Sequence, residues 1–187
     1  MFPRILVGVA IVSASLVGVP RASAEIRSLA TTGVWTAYGG TGDDNRALCG
    51  LSTAGAETRR IAIQQYAGEA GLELRLVKES WVIPTNTRVD IQFQFDGAPP
   101  IPMQAIGADR TLVVALTFEQ SMPFMRSVRA GRQIRVIFQA GDELPWVGGL
   151  TGSARIINAF NACRGGLAPA VASQPFAVPA PSTQTRP

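Results

Sequence analysis

Val89-Asp90-Ile91-Gln92-Phe93-Gln94-Phe95-Asp96 alternates without a break: Val89, Ile91, Phe93 and Phe95 are apolar, and the residues that interleave them are polar or charged. Successive side chains of an extended chain point to opposite faces, so this stretch predicts a strand with one face buried and one wet. The same period recurs on both sides of it. Leu72, Leu74 and Leu76 interleave with Glu73 and Arg75; Leu112, Val114, Leu116 and Phe118 repeat the pattern; Ile134, Val136 and Phe138 face away from Gln133 and Arg135. Ile61 and Ile63 give a weaker version, and residues 34–38 and 47–52 add strands near the start. Turn-forming residues at 68–71, 84–86, 97–102 and 107–109 separate the runs. Seven or more short strands in this arrangement predict a mainly β fold, an antiparallel β-sandwich or barrel.

Two short helices interrupt the strands. Ser121 is placed to cap the first, with Pro123 in its first turn, Phe124, Met125 and Val128 on its apolar face and Gly131 at its end. The second opens near Gly152-Ser153, sets Ile156, Ile157, Phe160 and Cys163 on one face and stops at Gly165-Gly166. Cys163 therefore points at the core, where Cys49 on an early strand can meet it. These are the only two cysteines, so in an oxidising compartment one intramolecular pairing is available, a disulfide tying the C-terminal helix to the sheet.

That compartment is suggested by the N-terminus. Arg4, an uncharged and largely apolar stretch over 5–19, and the small-x-small run Ala22-Ser23-Ala24 have the form of a secretory signal peptide over residues 1–24. The apolar stretch is shorter than the roughly 20 residues of a membrane span, and no later run is long enough for one. The organisation expected is a signal peptide at 1–24, one β-rich domain at 25–166, and a disordered Pro/Ala-rich tail at 167–187 punctuated by Pro169, Pro175, Pro179, Pro181 and Pro187. Loss of Arg4 and Arg21 with the leader lowers the formal charge from +4 to +2, which argues against a nucleic-acid partner.

The absence of histidine removes the usual base for serine and cysteine nucleophiles and the usual catalytic zinc ligand. Lys78 is the only lysine, Arg75 stands where a Ser-x-x-Lys nucleophile would need serine, and no phosphate loop or dinucleotide fingerprint occurs. No catalytic residue, metal ligand set or cofactor is assigned. Carboxylate chemistry of the glycosidase type stays open, with Asp43, Asp44, Asp142, Glu143 and Glu69 as candidates, although all fall in expected turns where acids serve as solvated turn-formers. Of Trp35, Trp81 and Trp146, the last sits between Pro145 and Val147-Gly148-Gly149, a loop-like setting that makes it the candidate exposed aromatic contact. Arg126, Arg129, Arg132 and Arg135 recur every third residue across the first helix, its glycine stop and the next strand, and form a candidate patch for an anionic contact.

Gly33-x-Trp35, Cys49 shortly after, the Met/Phe helix ending at Gly131, a strand, and Gly152-Ser153 opening a helix that ends at Cys163 together resemble the invasion-associated locus B family of small secreted bacterial proteins. The resemblance runs to about residue 163; the family carries more cysteines in its first part, where this chain has Cys49 alone. It implies a mostly β envelope protein, periplasmic or surface-exposed and concerned with host contact, and it carries over no catalytic residue. Two function classes follow. One is an exported, non-enzymatic binding or interaction protein whose partner is an unknown envelope or host component. The other is a carbohydrate-active enzyme, or an inhibitor of one, working through the turn carboxylates or an exposed tryptophan.

Overall fold

A computed structural model describes residues 25–42 and 44–167. The expected signal peptide at 1–24, Asp43, and the expected tail from residue 168 onward lie outside the described residues.

The strands are β1 (Glu25–Thr32), β2 (Trp35–Thr41), β3 (Ala47–Ala54), β4 (Arg60–Tyr66), β5 (Leu72–Val77), β6 (Ile83–Phe95), β7 (Ile101–Asp109), β8 (Thr111–Leu116), β9 (Gln133–Phe138) and β10 (Trp146–Gly149). Helix α1 (Phe118–Ala130) follows β8, and α2 (Ser153–Gly165) follows β10. Every pairing is antiparallel, and the ladders join all ten strands into one sheet in the order β1-β2-β3-β4-β5-β8-β7-β6-β9-β10. The mainly β, antiparallel expectation is met, by one sheet curled into a half-barrel with the helices on its inner face in place of two stacked sheets.

The alternation in 89–96 does what its period demands. Ile91, Phe93 and Phe95 are buried while Asp90 and Asp96 are exposed, and Phe93 and Phe95 meet Phe124 of α1 edge to face at 5.2 and 5.4 Å. Leu72, Leu74 and Leu76 of β5, Leu112, Val114 and Leu116 of β8, and Ile134 and Val136 of β9 extend the same inner face. α2 closes the other half of the curl by burying Ile156, Ile157 and Phe160 against β1, β2 and β3.

The curl brings distant strands together. Trp35 of β2 is buried and its Nε1 donates to the Gly149 carbonyl of β10 at 3.0 Å, although seven strands lie between them in the sheet. Cys49 and Cys163 are bonded, with Cα atoms 5.9 Å apart. A β-carbon on Gly39 would sit 2.6 Å from Cys163 Sγ, so glycine at that position gives the bridge its room.

Three elements depart from the sequence pattern. α1 is capped by Thr117 rather than Ser121: the Thr117 hydroxyl accepts from Gln120 N–H at 3.3 Å and the Gln120 side chain accepts from Thr117 N–H at 3.0 Å. Ser121 instead lies buried one turn in, donating to the Thr117 carbonyl, so Pro123 falls inside the helix. Residues 84–86, expected as a turn, are an irregularity within the long β6, where Asn86 takes φ 65°. Residues 101–109, largely expected as turns, form β7. β7 pairs with β8 only over Ile106–Ala108, so Pro102 lies where the strand is hydrogen-bonded on its β6 side alone and its missing donor is tolerated.

Candidate functional site

α1 and α2 pack together over the end of the inner face. Ser153 at the start of α2 donates its hydroxyl to the Val128 carbonyl at 2.7 Å, and Arg129 Nη1 donates to Asn158 Oδ1 at 2.8 Å, so the pair is tied at two levels. Between them opens a hollow of about 210 Å³ whose walls include Phe118, Met122 and Met125 of α1 and Ile157 of α2. Phe118 is 52% and Met122 54% exposed, so two large apolar side chains stand half-open on the lip of the hollow.

Three guanidinium groups line the same hollow: Arg126 and Arg129, which the sequence spacing singled out, and Arg164, which it did not. Arg164 is the best fixed of the three. Its guanidinium lies over the Phe160 ring at 5.2 Å and donates to Gln65 Oε1 from β4, and burial draws it below the ordinary guanidinium pKa. Arg132 and Arg135 are exposed but are not part of the lining: Arg132 follows the Gly131 stop, its backbone N–H held by the Asp96 carboxylate, and Arg135 lies on the outward side of β9 between its buried neighbours Ile134 and Val136.

Trp146 is not an exposed contact. It is 3% exposed, stacked on Trp81 at 5.1 Å and edge-on to Phe138 at 5.6 Å. The Pro and Gly neighbours that suggested a loop flank a short strand whose partner is β9, with Trp146 opposite Val136. Its burial is completed by residues distant in sequence, which local composition does not report.

Beside it, Glu143 is the hub of a clip. Its carboxylate accepts from Lys78 Nζ at 2.8 and 3.1 Å, Trp81 Nε1 at 3.0 Å and Trp146 Nε1 at 2.7 Å, and Arg59 Nη2 stands 3.3 Å away. Burial pushes the Glu143 pKa up, but the hydrogen bonds from Lys78, Trp146 and Trp81 and the Lys78 charge outweigh it and hold the group below the usual carboxylate range. With its lone pairs so occupied, this carboxylate is an anchor between β5, β10 and their loops. Asp44 and Glu69 share Arg46, at 2.6 and 2.5 Å, on an exposed turn, and Asp142 is exposed. Among the described residues, no group of three His, Cys, Asp or Glu side chains is arranged to hold a metal ion, and no helix is long and apolar enough to cross a membrane.

Comparison with protein-family models, with characterised proteins and with solved structures finds no match to this chain.

Proposed function

We propose that the protein is an exported, non-enzymatic binding module of the bacterial envelope that meets an anionic amphiphile surface through the α1–α2 hollow. The observation that carries this is the convergence of Arg126, Arg129 and Arg164 on a hollow whose lip holds the half-exposed Phe118 and Met122. Guanidinium forks match phosphate oxygens, and apolar lip residues beside them enter the boundary between headgroups and acyl chains. The Cys49–Cys163 bond supports a life in an oxidising compartment, as the leader-like N-terminus does. The resemblance to invasion-associated locus B proteins points the same way, to the periplasm or cell surface.

The test is co-sedimentation with vesicles of anionic phospholipid against vesicles of zwitterionic lipid at low salt. Each arginine near such a surface contributes about 1 kcal/mol, so R126Q/R129Q is expected to weaken binding by about 30-fold. F118S is expected to reduce the salt-resistant part while leaving the melting temperature unchanged. A wild-type protein that ignores anionic vesicles at low salt, or binds both kinds equally, refutes the reading.

A further inference from the structure

A larger hollow, about 530 Å³, lies on the opposite face of the sheet from the helices, over β2 to β5. Its shape follows from the register. Thr36, Ser52, Ala62 and Arg75 are consecutive cross-strand neighbours, and the next rung reads Tyr38, Gly50, Gln64 and Glu73. Ser52 and Ala62 make a low floor between taller side chains. A β-carbon on Gly50 would lie 2.3 Å from Tyr38 Cζ, so the Tyr38 ring lies down across β3 where glycine leaves space.

That ring is part of a built wall. Tyr38 Oη donates to Gln64 Oε1 at 3.1 Å, and Gln64 Nε2 donates to Tyr66 Oη at 2.7 Å and to Glu73 Oε1 at 2.9 Å. Gln64 and Tyr66 are 5% and 8% exposed, although they stand on the sheet face that carries no helix. Burial pushes the Tyr38 pKa up to about 12, partly countered by Arg60 and Arg75, so the phenol keeps its proton at neutral pH. The facing side is cationic. Arg60 makes no ion pair with a described carboxylate, and Arg75 reaches Glu73 only at 3.5 Å.

We infer that this hollow binds a small acidic saccharide, a hydroxylated ring carrying one carboxylate, with Arg60 and Arg75 on the carboxylate and the Ser52, Thr36 and Tyr38 hydroxyls on the ring. The volume lies within the range of small-ligand sites, about 300–1,000 Å³. The charge balance selects the anion: two guanidiniums against Glu73 leave one net positive charge, which matches a monoanionic carboxylate better than a phosphate dianion. Arg presents a planar fork suited to a carboxylate, and the small hydroxyl-bearing floor lets a flat ring approach the sheet. This site is separate from the α1–α2 hollow and stands whether or not the protein binds lipid.

The experiment is calorimetric titration of the full chain with galacturonate, with galactose as the neutral control and with inorganic phosphate and glucose 6-phosphate as competing anions. Galacturonate is expected to bind at least about tenfold more tightly than any of the other three, and R60Q and R75Q each to weaken it by at least about tenfold. Arg60 is exposed and lies outside the Gln64 network, so R60Q keeps the wild-type melting temperature and separates ligand contact from folding. No binding of galacturonate at millimolar concentration, binding equal to that of galactose, tighter binding of either phosphate, or binding insensitive to R60Q overturns the assignment.

Discussion

Replacing both cysteines with alanine tests the architecture most directly, because the bridge spans 114 residues of sequence and joins the strand side of the core to the last helix. Chain-entropy reasoning gives a loop of that length about 4.8 kcal/mol of stabilisation through the unfolded state, an upper figure. About 140 ordered residues have an unfolding entropy near 0.3 kcal/mol per kelvin, so the melting temperature is expected to fall by about 8–16 °C in C49A/C163A. The fold itself should persist, since Ile156, Ile157 and Phe160 still bury α2 without the bridge. Scanning calorimetry measures the first quantity. Guanidinium unfolding supplies a second: the unbridged chain expands further when unfolded, so its denaturant slope is expected to rise. A fall of under about 3 °C with an unchanged slope would refute the loop-closure reasoning and leave the bridge as a local tether.

Two further perturbations address the clip around Glu143. E143Q leaves Lys78 without its counter-charge and Arg59 with Glu57 alone, and is expected to cost about 2 kcal/mol at pH 7, read as a shift in the denaturation midpoint. Because folding lowers the Glu143 pKa, its contribution is full above the unfolded carboxyl value near about 4.3 and is lost as pH falls through the folded value; the gap between wild type and E143Q should close in acid, and a constant gap would contradict the ionic origin. W146A is expected to cost about 3–5 kcal/mol and to abolish the near-ultraviolet circular dichroism of the Trp81–Trp146 stack, whereas an exposed tryptophan would lose almost nothing.

What could be read in the sequence was whatever repeats locally. β6, β5, β8 and β9 announce themselves because one face is dry and the other wet along each strand. The Cys49–Cys163 pairing was legible because two cysteines allow one connectivity, and the face of α2 carrying Cys163 followed from helical spacing. β1 was silent because most of its residues are exposed at the sheet edge, and β10 because it is four residues long and half glycine. Pro102 and Gly107 hid β7 by imitating turns. The candidate site was half visible: Arg126 and Arg129 stand out by spacing, but Arg164 joins them only through the packing of α2 on α1. The Tyr38–Gln64–Glu73 wall gave no sequence signal, since its members come from three strands and meet across a glycine.

The seating of α2 imposes an order of events on a chain made from its N-terminus. β1 to β5 are sequential neighbours and can assemble as they emerge, yet the inner side of the first three, which carries Trp35, Ala37, Cys49 and Leu51, has to wait for cover from the far end of the chain. The helix that supplies that cover, and the second sulfur of the bridge, arrive after every strand has been synthesised. Until then the nascent half-sheet is an open, adhesive surface, vulnerable to pairing with another copy of itself. Kinetic competition between aggregation and the late docking of α2 is thus built into the topology, and a holding chaperone that shields the early meander is expected to raise the yield of oxidised, correctly closed protein.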